Sequence, residues 1–139
     1  MKTQLDQETK DKLKKRAREV RERAYVPYSH FPVGAAVLTA SGKIFTGVNI
    51  ENASYPLSIC AERSAIFQAI TAGEREIIAL AVTADTARPV SPCGACRQVM
   101  NEFNPKMDVM MLNLTGDELR RTAGELLPEH FSSGDLEQS

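Results

Sequence analysis

The sequence lacks tryptophan and contains only three cysteines, and the cysteine count limits the kinds of cross-link and site that the chain can form. A small and odd number of thiols argues against a closed disulfide framework, in which cysteines occur in pairs. The sequence also lacks any apolar run near the roughly 20 residues that a membrane-spanning helix requires. With 42% hydrophobic and 25% charged residues, the composition is that of a globular protein, and no membrane partner is expected.

The start of the chain does not resemble a secretion signal. Its first residues, Met1-Lys2-Thr3-Gln4-Leu5-Asp6, are polar and contain no apolar stretch. We therefore predict a cytoplasmic location, where clustered cysteines usually bind metal or serve redox chemistry. The length predicts a single domain, residues 1–139, because a chain of this size buries roughly two thirds of the surface that it exposes when unfolded.

The charge distribution is uneven, although the formal net charge is only -1. Residues 10–23 hold eight of the 17 basic residues. A helix is predicted over residues 6–25, because the apolar Leu13, Ala17 and Val20 recur at helical spacing. No aromatic residues suited to stacking on bases are interleaved with the basic ones. We therefore interpret the basic residues as a solvated helix face and predict no nucleic-acid partner.

The other predicted elements alternate between strands and helices. Two short β-type runs on either side of residues 40–43 predict a hairpin, and a continuous apolar run predicts a strand covered on both faces. In chain order, we predict strands at 33–38 and 44–48, a helix at 60–72, a strand at 77–83, a helix at 93–103, and strands at 108–112 and 119–123. This order predicts an α/β fold, a three-layer α/β/α sandwich with a mixed, roughly five-stranded central sheet.

All three cysteines lie in two short motifs, Cys60-Ala61-Glu62 and Pro92-Cys93-Gly94-Ala95-Cys96. Cys93 and Cys96 share one face of a predicted helix and can converge on one ion, and Cys60 can add a third thiolate. Tetrahedral zinc held by three protein ligands keeps its fourth position for water, as catalytic zinc sites do. We therefore predict a Zn²⁺ cofactor, one per subunit, bound by Cys60, Cys93 and Cys96.

Both motifs begin where a helix is predicted to begin. Cys60 opens one helix, and Cys93 opens another behind Pro92, a residue favoured at helix starts. The positive helix end and its exposed N–H groups stabilise a thiolate, which is the form that binds metal. Arg63 should share the helical face of Cys60 and donate to the sulfur ligands. It would partly offset the net charge of about -1 that zinc carries with three thiolates.

Glu62 is the predicted catalytic residue. It follows Cys60 by two positions and is therefore not stacked with that thiol on the helix, so we do not predict it as a fourth ligand. A carboxylate at this place can still reach a water molecule at the metal. It can take a proton from that water and give it to a leaving group, which is the work of a general acid and base.

Two other interpretations of the cysteines stay open at this point. A structural zinc site would need a fourth ligand, and only His30 and His130 could supply an imidazole, neither at zinc-finger spacing. Residues 93–96 could instead form a Cys-x-x-Cys redox pair, although this leaves Cys60 and Glu62 without a role.

The two motifs together resemble the small, homotetrameric type of cytidine deaminase. They contain the acid and the Pro-Cys-x-x-Cys pairing of the zinc deaminases. Cysteine replaces the histidine of that signature as first ligand, which is more similar to nucleoside deaminases than to those acting on nucleotides or nucleic acids. The resemblance covers nearly the whole chain, including residues 24–29, 31–36, 49–55, 126–128 and Phe131. It implies a homotetramer with active sites at the subunit interfaces.

The resemblance also implies how the substrate is bound. Phe31 is expected to pack on the pyrimidine, and Asn49 and Glu51 are expected to bind the ribose hydroxyls. The latter two side chains, two apart in an extended segment, point the same way and offer donor and acceptor atoms suited to a diol. The resemblance further implies that Phe131, and a tyrosine that we place at Tyr55, come from neighbouring subunits.

The function expected is zinc-dependent hydrolytic deamination of cytidine and 2′-deoxycytidine to the uridines in pyrimidine salvage, with release of ammonia. Ala61 joins the substrate-binding residues, and backbone groups near Cys60 and Ser91 are expected to hold the tetrahedral intermediate. An alternative with the same chemistry is deamination of a modified cytosine nucleoside such as blasticidin S. A module of a different class, using the basic helix to hold RNA, would instead bind with a steep salt dependence.

Overall fold

A mixed five-stranded sheet organises the chain in the computed structural model, which describes residues 4–137. The strands are β1 (Val33–Thr39), β2 (Ile44–Val48), β3 (Ile77–Ala84), β4 (Asp108–Leu112) and β5 (Glu118–Thr122). Their order is β2-β1-β3-β4-β5, with β3 and β4 parallel and all other neighbours antiparallel. Residues 1–3, on which part of the location prediction rests, lie outside the described residues, as do residues 138 and 139.

Helix α1 (Gln7–Val20) covers one face of the sheet. Its stripe of Leu13 and Ala17 is fully buried, as the spacing predicts. A Cβ atom added to Gly34 of β1 would lie 2.2 Å from the carbonyl oxygen of Ala17, so only glycine lets the helix lie this close to the strand. The helix ends earlier than the predicted residue 25, because the chain turns and Tyr25 donates its N–H to the sheet-side carbonyl of Asn49 at 3.0 Å.

Helices α2 (Ala61–Thr71) and α3 (Gly94–Phe103) cover the opposite face, which completes the predicted three-layer α/β/α arrangement. The core on this side combines apolar strand residues with Ala65, Ile66 and Met100 of the two helices. A Cβ atom on Gly47 of β2 would lie 2.3 Å from the backbone nitrogen of Ala65. The first half of α2 therefore lies directly on β2, which places its N-terminus firmly against the sheet.

The helix starts differ slightly from the predicted ones. Cys60 and Cys93 are the N-cap residues of α2 and α3, so each precedes the first helical residue. Pro92 lies one position before the N-cap of α3, outside the helix. Gly73 follows α2 with a φ of 98°, the left-handed conformation that favours glycine after a helix end.

Two short helices, α4 (Ala123–Leu126) and α5 (Ser133–Leu136), follow β5 and form the tail, residues 123–137. Capping boxes at Thr122 and Ser132 fix their starts. Among residues 4–137, no helix is both long and apolar enough to cross a membrane.

Candidate metal centre and active site

The three cysteines meet at the N-terminal ends of α2 and α3. The Sγ atom of Cys93 lies 3.6 Å from that of Cys60 and 3.5 Å from that of Cys96. All three sulfur atoms lie within 4.8 Å of one another. We call this group the thiol cluster.

The fold explains why residues so distant in sequence meet. Strand β3 leads into α3, the crossover helix between the parallel strands β3 and β4, so the start of α3 lies beyond the C-terminal end of β3. Helix α2 lies on β2 and β1, and β1 is the other neighbour of β3. Two helix N-termini thus come together near one end of the sheet, and each brings its N-cap cysteine.

The chemistry of the thiol cluster suits zinc. Three cysteine sulfur atoms are a common ligand set for this ion, and tetrahedral zinc places its ligands close enough together to match a group this compact. Neither N-cap cysteine uses its side chain to cap its helix, so both sulfur atoms are available to a metal. Exposed N–H groups at the two helix starts also favour thiolate over thiol.

Arg63 reaches the cluster from the first turn of α2. Its Nη2 atom lies 3.5 Å from the Sγ atom of Cys60 and donates to it. Hydrogen bonding to Cys60 raises the pKa of Arg63 above its already high ordinary value, so the guanidinium remains a permanent positive charge beside the sulfur atoms.

The thiols of Cys60 and Cys96 have pKa values shifted in opposite directions. The pKa of Cys60 is lowered to about 5, mainly by hydrogen bonding with Cys96. Burial opposes this lowering, and the hydrogen bond from Arg63 adds to it. The same interaction with Cys60, together with burial, raises the pKa of Cys96 well above its ordinary range. A bound dication would favour the ionised form of both thiols, since it stabilises thiolate directly.

Glu62 is almost completely buried beside the cluster, with an exposed fraction of 5%. Burial raises the pKa of its carboxyl to about 7, and the negative charge of Cys60 adds to the effect. A carboxyl group with a pKa near neutrality can both accept and donate a proton.

A hollow of about 290 Å³ opens in front of the cluster. It is lined by Ser29, Phe31, Val33, Asn49, Glu51, Tyr55, Cys60, Ala61, Glu62, Val90, Ser91 and Cys93. Most of the site residues predicted from the sequence thus share one concave surface. Cys96 lies behind it as the fully buried member of the cluster, and Arg63 and Phe131 are not among the lining residues.

Asn49 and Glu51 hold the loop that carries Phe31. The side-chain amide of Asn49 accepts from the N–H of Val33 at 2.9 Å and donates to the carbonyl of Phe31 at 2.8 Å. The Oε1 atom of Glu51 accepts from the backbone N–H groups of Tyr28 and Ser29 at 3.0 and 3.1 Å. Both residues therefore have a structural role that their spacing did not reveal.

The aromatic residues predicted to contact substrate lie in two places. Phe31 and Tyr55 line the hollow of their own chain, with exposed fractions of 40% and 60%. Phe131 is 58% exposed and lies on the tail, where its carbonyl accepts from Nε2 of Gln98 at 2.8 Å. It lines a separate, smaller hollow between the tail and α3.

Sequence reasoning missed several residues of the site. Ser29, Val33 and Val90 line the hollow, and their position beside Phe31 or just before the second cysteine motif was the signal that could have identified them. Arg97, one turn after Cys93, also contacts the site, and no local pattern distinguishes it from a surface arginine.

The fold and the thiol cluster together define a three-layer α/β/α protein with three cysteines placed close enough together to bind a metal ion. The sequence model of the cytidine and deoxycytidylate deaminase zinc-binding region matches residues 7–112. The chain belongs to this family.

Individual relatives are similar to this chain over most of their length. The cytidine deaminase of Sporosarcina psychrophila is 54% identical over 127 residues, 91% of this chain and 93% of the relative. That of Halalkalibacterium halodurans is 54% identical over 125 residues, 89% of this chain and 95% of the relative. The crystal structure of cytidine deaminase from Burkholderia pseudomallei matches with a TM-score of 0.85 at 50% identity, covering 87% of this chain and 98% of that one.

Proposed function

We propose that the chain is a zinc-dependent hydrolase that deaminates cytidine and 2′-deoxycytidine to uridine and 2′-deoxyuridine and releases ammonia. The observation that carries the proposal is the thiol cluster beside the buried Glu62 at the end of a hollow. Relatives named cytidine deaminase, at 54% identity over most of the chain, support the ordinary nucleoside as substrate rather than a modified one such as blasticidin S.

The proposed metal ligands are Cys60, Cys93 and Cys96, with one zinc ion per subunit. When bound, zinc with three protein ligands acts as a Lewis acid and lowers the pKa of a water molecule toward about 7. Arg63 would partly offset the negative charge of the thiolates through its contact with Cys60.

Glu62 is the proposed general acid and base. Its carboxylate takes a proton from the attacking water as the water oxygen adds to C4 of the base. It gives this proton to N3, then takes the remaining proton from the oxygen now bonded to C4 and delivers it to the exocyclic amino group, which leaves as ammonia as the C4 carbonyl forms. One water is consumed for each ammonia released. Burial of Glu62 favours this role because it keeps the protonated and ionised forms close in free energy.

The substrate would lie in the hollow with its base toward Glu62. We assign Phe31 to the face of the pyrimidine, and Asn49 and Glu51 to the ribose hydroxyls. Both loop hydrogen bonds of Glu51 end on Oε1, so a ribose hydroxyl can donate to Oε2. Asn49 has a second amide hydrogen available beyond its bond to the carbonyl of Phe31.

Backbone groups complete the proposed substrate contacts. Ala61 is the first residue of α2, where a backbone N–H has no partner within the helix and can donate to the base. Ser91 also lines the hollow, which supports a role for backbone groups near it in holding the tetrahedral intermediate.

The assembly that we propose is a homotetramer with active sites at its interfaces. Tyr55 and Phe131 are large and well exposed, and Phe131 lies away from the hollow of its own chain, which suits a contact with a neighbouring subunit. An apolar groove of about 520 Å³ on α2 and β2, lined in part by Phe45 and Phe67, offers a further contact surface.

We further propose that residues 1–139 form a single catalytic domain that serves pyrimidine salvage in the cytoplasm, without a nucleic-acid or membrane partner. One sheet with helices on both faces supports the single domain. The basic face of α1 contains acidic residues as well, including Asp11 and Glu19, which weakens its attraction for a phosphate backbone.

The deciding experiment follows the ultraviolet absorbance of cytidine during incubation with the purified protein, with zinc per chain measured on the same sample. We expect hydrolysis in proportion to zinc content, approaching one ion per chain. A zinc-loaded protein that leaves cytidine and 2′-deoxycytidine unchanged would contradict the proposal.

A further inference from the structure

Arg97 connects three separate points of the chain from a position one turn after Cys93. Its Nε atom donates to the carbonyl of Pro92 at 2.9 Å, Nη1 to the carbonyl of Leu126 at 2.8 Å, and Nη2 to the hydroxyl of Ser91 at 2.6 Å. A planar guanidinium holds such acceptors in fixed relative positions, which a lysine ammonium cannot do. The side chain is thus a rigid connector between α3 and its surroundings.

Two of the three acceptors belong to the segment that brings Cys93 to the hollow. Ser91 lines the hollow together with Cys93, and the buried Pro92 directly precedes that cysteine. Residues 85–93, between β3 and α3, contain neither helix nor strand. Pro92 has no N–H group with which to fix its own backbone. The hydrogen bonds from Arg97 therefore hold Ser91 and Pro92, the two residues before Cys93, in place.

The third acceptor, Leu126, belongs to the tail. Helix α3 holds the tail at two further points, since Gln98 donates to the carbonyl of Phe131 at 2.8 Å and Asn101 donates to the first carbonyl of α4 at 2.9 Å. Cysteine ligands occupy the start of α3 and tail contacts occupy its next turns. Arg97 lies at the junction and contacts both regions.

We propose that Arg97 is a positioning residue for the deamination, an inference that rests on the proposed function. It sets Ser91 and Cys93 at the edge of the hollow and fixes that edge relative to the tail that carries Phe131. The effect on rate is large because a misplacement of about 1 Å in an active site can cost about 100-fold.

The test compares Arg97→Met and Arg97→Lys with the control Arg75→Met. Arg75 also donates to backbone carbonyls, those of Ile70 and Glu74, but it does so at the far end of α2. We expect Arg97→Met to lower kcat by about 10- to 100-fold with a smaller change in KM. Arg97→Lys should recover little of this loss, because a single ammonium group cannot donate to all three acceptors of the planar guanidinium. Ser91→Ala, which removes one of the three bonds, should lower kcat less.

Two measurements separate positioning from general stability. In protein loaded with Co²⁺, the visible spectrum reports the geometry of the thiolate ligands, and it should shift in Arg97→Met but not in Arg75→Met. Hydrogen exchange of the amides in residues 124–131 should quicken in Arg97→Met alone, while the melting temperatures of the two variants stay similar. A kcat for Arg97→Met equal to that of Arg75→Met, or full recovery by Arg97→Lys, would overturn the proposal.

Failure of the proposed function would be recognisable separately. If the wild-type protein hydrolyses no cytidine, the function is wrong. The cobalt spectrum and the hydrogen exchange would still decide whether Arg97 fixes the cysteine segment and the tail: unchanged spectra and exchange rates in Arg97→Met would reject the positioning role.

Discussion

The two ends of the hollow are built in different ways. At the metal end, Glu62 is 5% exposed and Cys96 is fully buried. Both residues lie in the first turns of helices that pack on the sheet of the same chain. At the substrate end, Phe31 is 40% and Tyr55 60% exposed, and both lie outside the regular strands and α-helices. The proposed reacting groups are therefore fixed within one chain, whereas the proposed nucleoside-binding surface is open, as a site completed by a second subunit would require.

Removal of the metal should produce the largest loss of activity, and it tests the metal end alone. We expect a chelator to reduce deamination to background and added zinc to restore it. The chain should remain folded, because a core of this size needs no metal, and its melting temperature should fall only by the amount that ligand binding contributes. Circular dichroism and calorimetry check this. Global unfolding on chelation would instead indicate a structural zinc site.

Glu62→Gln should produce the next largest effect, because it removes the proton carrier and leaves the thiols intact. We expect kcat to fall by about 10²–10⁴-fold while zinc per chain stays unchanged. The matched control is Glu102→Gln, which changes an exposed carboxylate on α3. Near-normal turnover by Glu62→Gln would show that the metal end does not work as proposed.

Phe131→Ala tests whether the substrate end is completed by a second chain. We expect KM to rise about 2- to 12-fold, from an aromatic contact of about 0.5–1.5 kcal/mol. Leu136→Ala, which truncates another exposed tail residue, should leave KM unchanged.

Mixed assemblies make this test sharper. Co-expression of Phe131→Ala with Glu62→Gln should create some sites that combine an intact Glu62 from one chain with an intact Phe131 from the other. A population of sites with the wild-type KM should then appear. If every active site kept the raised KM, Phe131 would act within its own chain.

The smallest expected effect is on stability: Glu51→Gln weakens the loop at the substrate end, separately from the loss of its proposed ribose contact. Hydrogen bonds from Ser29 and Tyr28 lower the pKa of Glu51 below its ordinary value of 4.5. A lowered pKa stabilises the fold above the unfolded-state value, and this contribution is lost as pH falls through the folded-state pKa. The melting temperature should therefore favour the wild type at neutral pH, and the difference should shrink below about pH 4.5. A difference that grows on acidification would contradict this assignment.

The metal end could be predicted from the sequence because each of its two motifs carries a local signal. Cys93 and Cys96 lie within one helical turn, and the apolar runs of β3 and β4 predicted both strands to within one residue. The predicted end of α1 was wrong by about a turn, because Tyr25 pairs with Asn49 and this tertiary contact overrides the helical pattern.

The substrate end was less predictable because its contacts are distant in sequence. Asn49 bonds a carbonyl 18 residues away, and Arg97 bonds one 29 residues away. No periodicity reports such pairs. The place of Phe131 on the far side of α3 also depends on how the tail folds back, which spacing alone does not specify.

The thiol cluster has a consequence for the order of events during synthesis. Cys60 leaves the ribosome 33 residues before Cys93, a delay of about 2–7 s at about 5–20 residues per second. During that interval the chain can offer only one thiol to a metal. After it, residues 93–96 can offer a pair, but the third sulfur joins them only when β1 and β3 have paired. The complete thiol cluster therefore marks a chain whose central strands β1 and β3 have already paired.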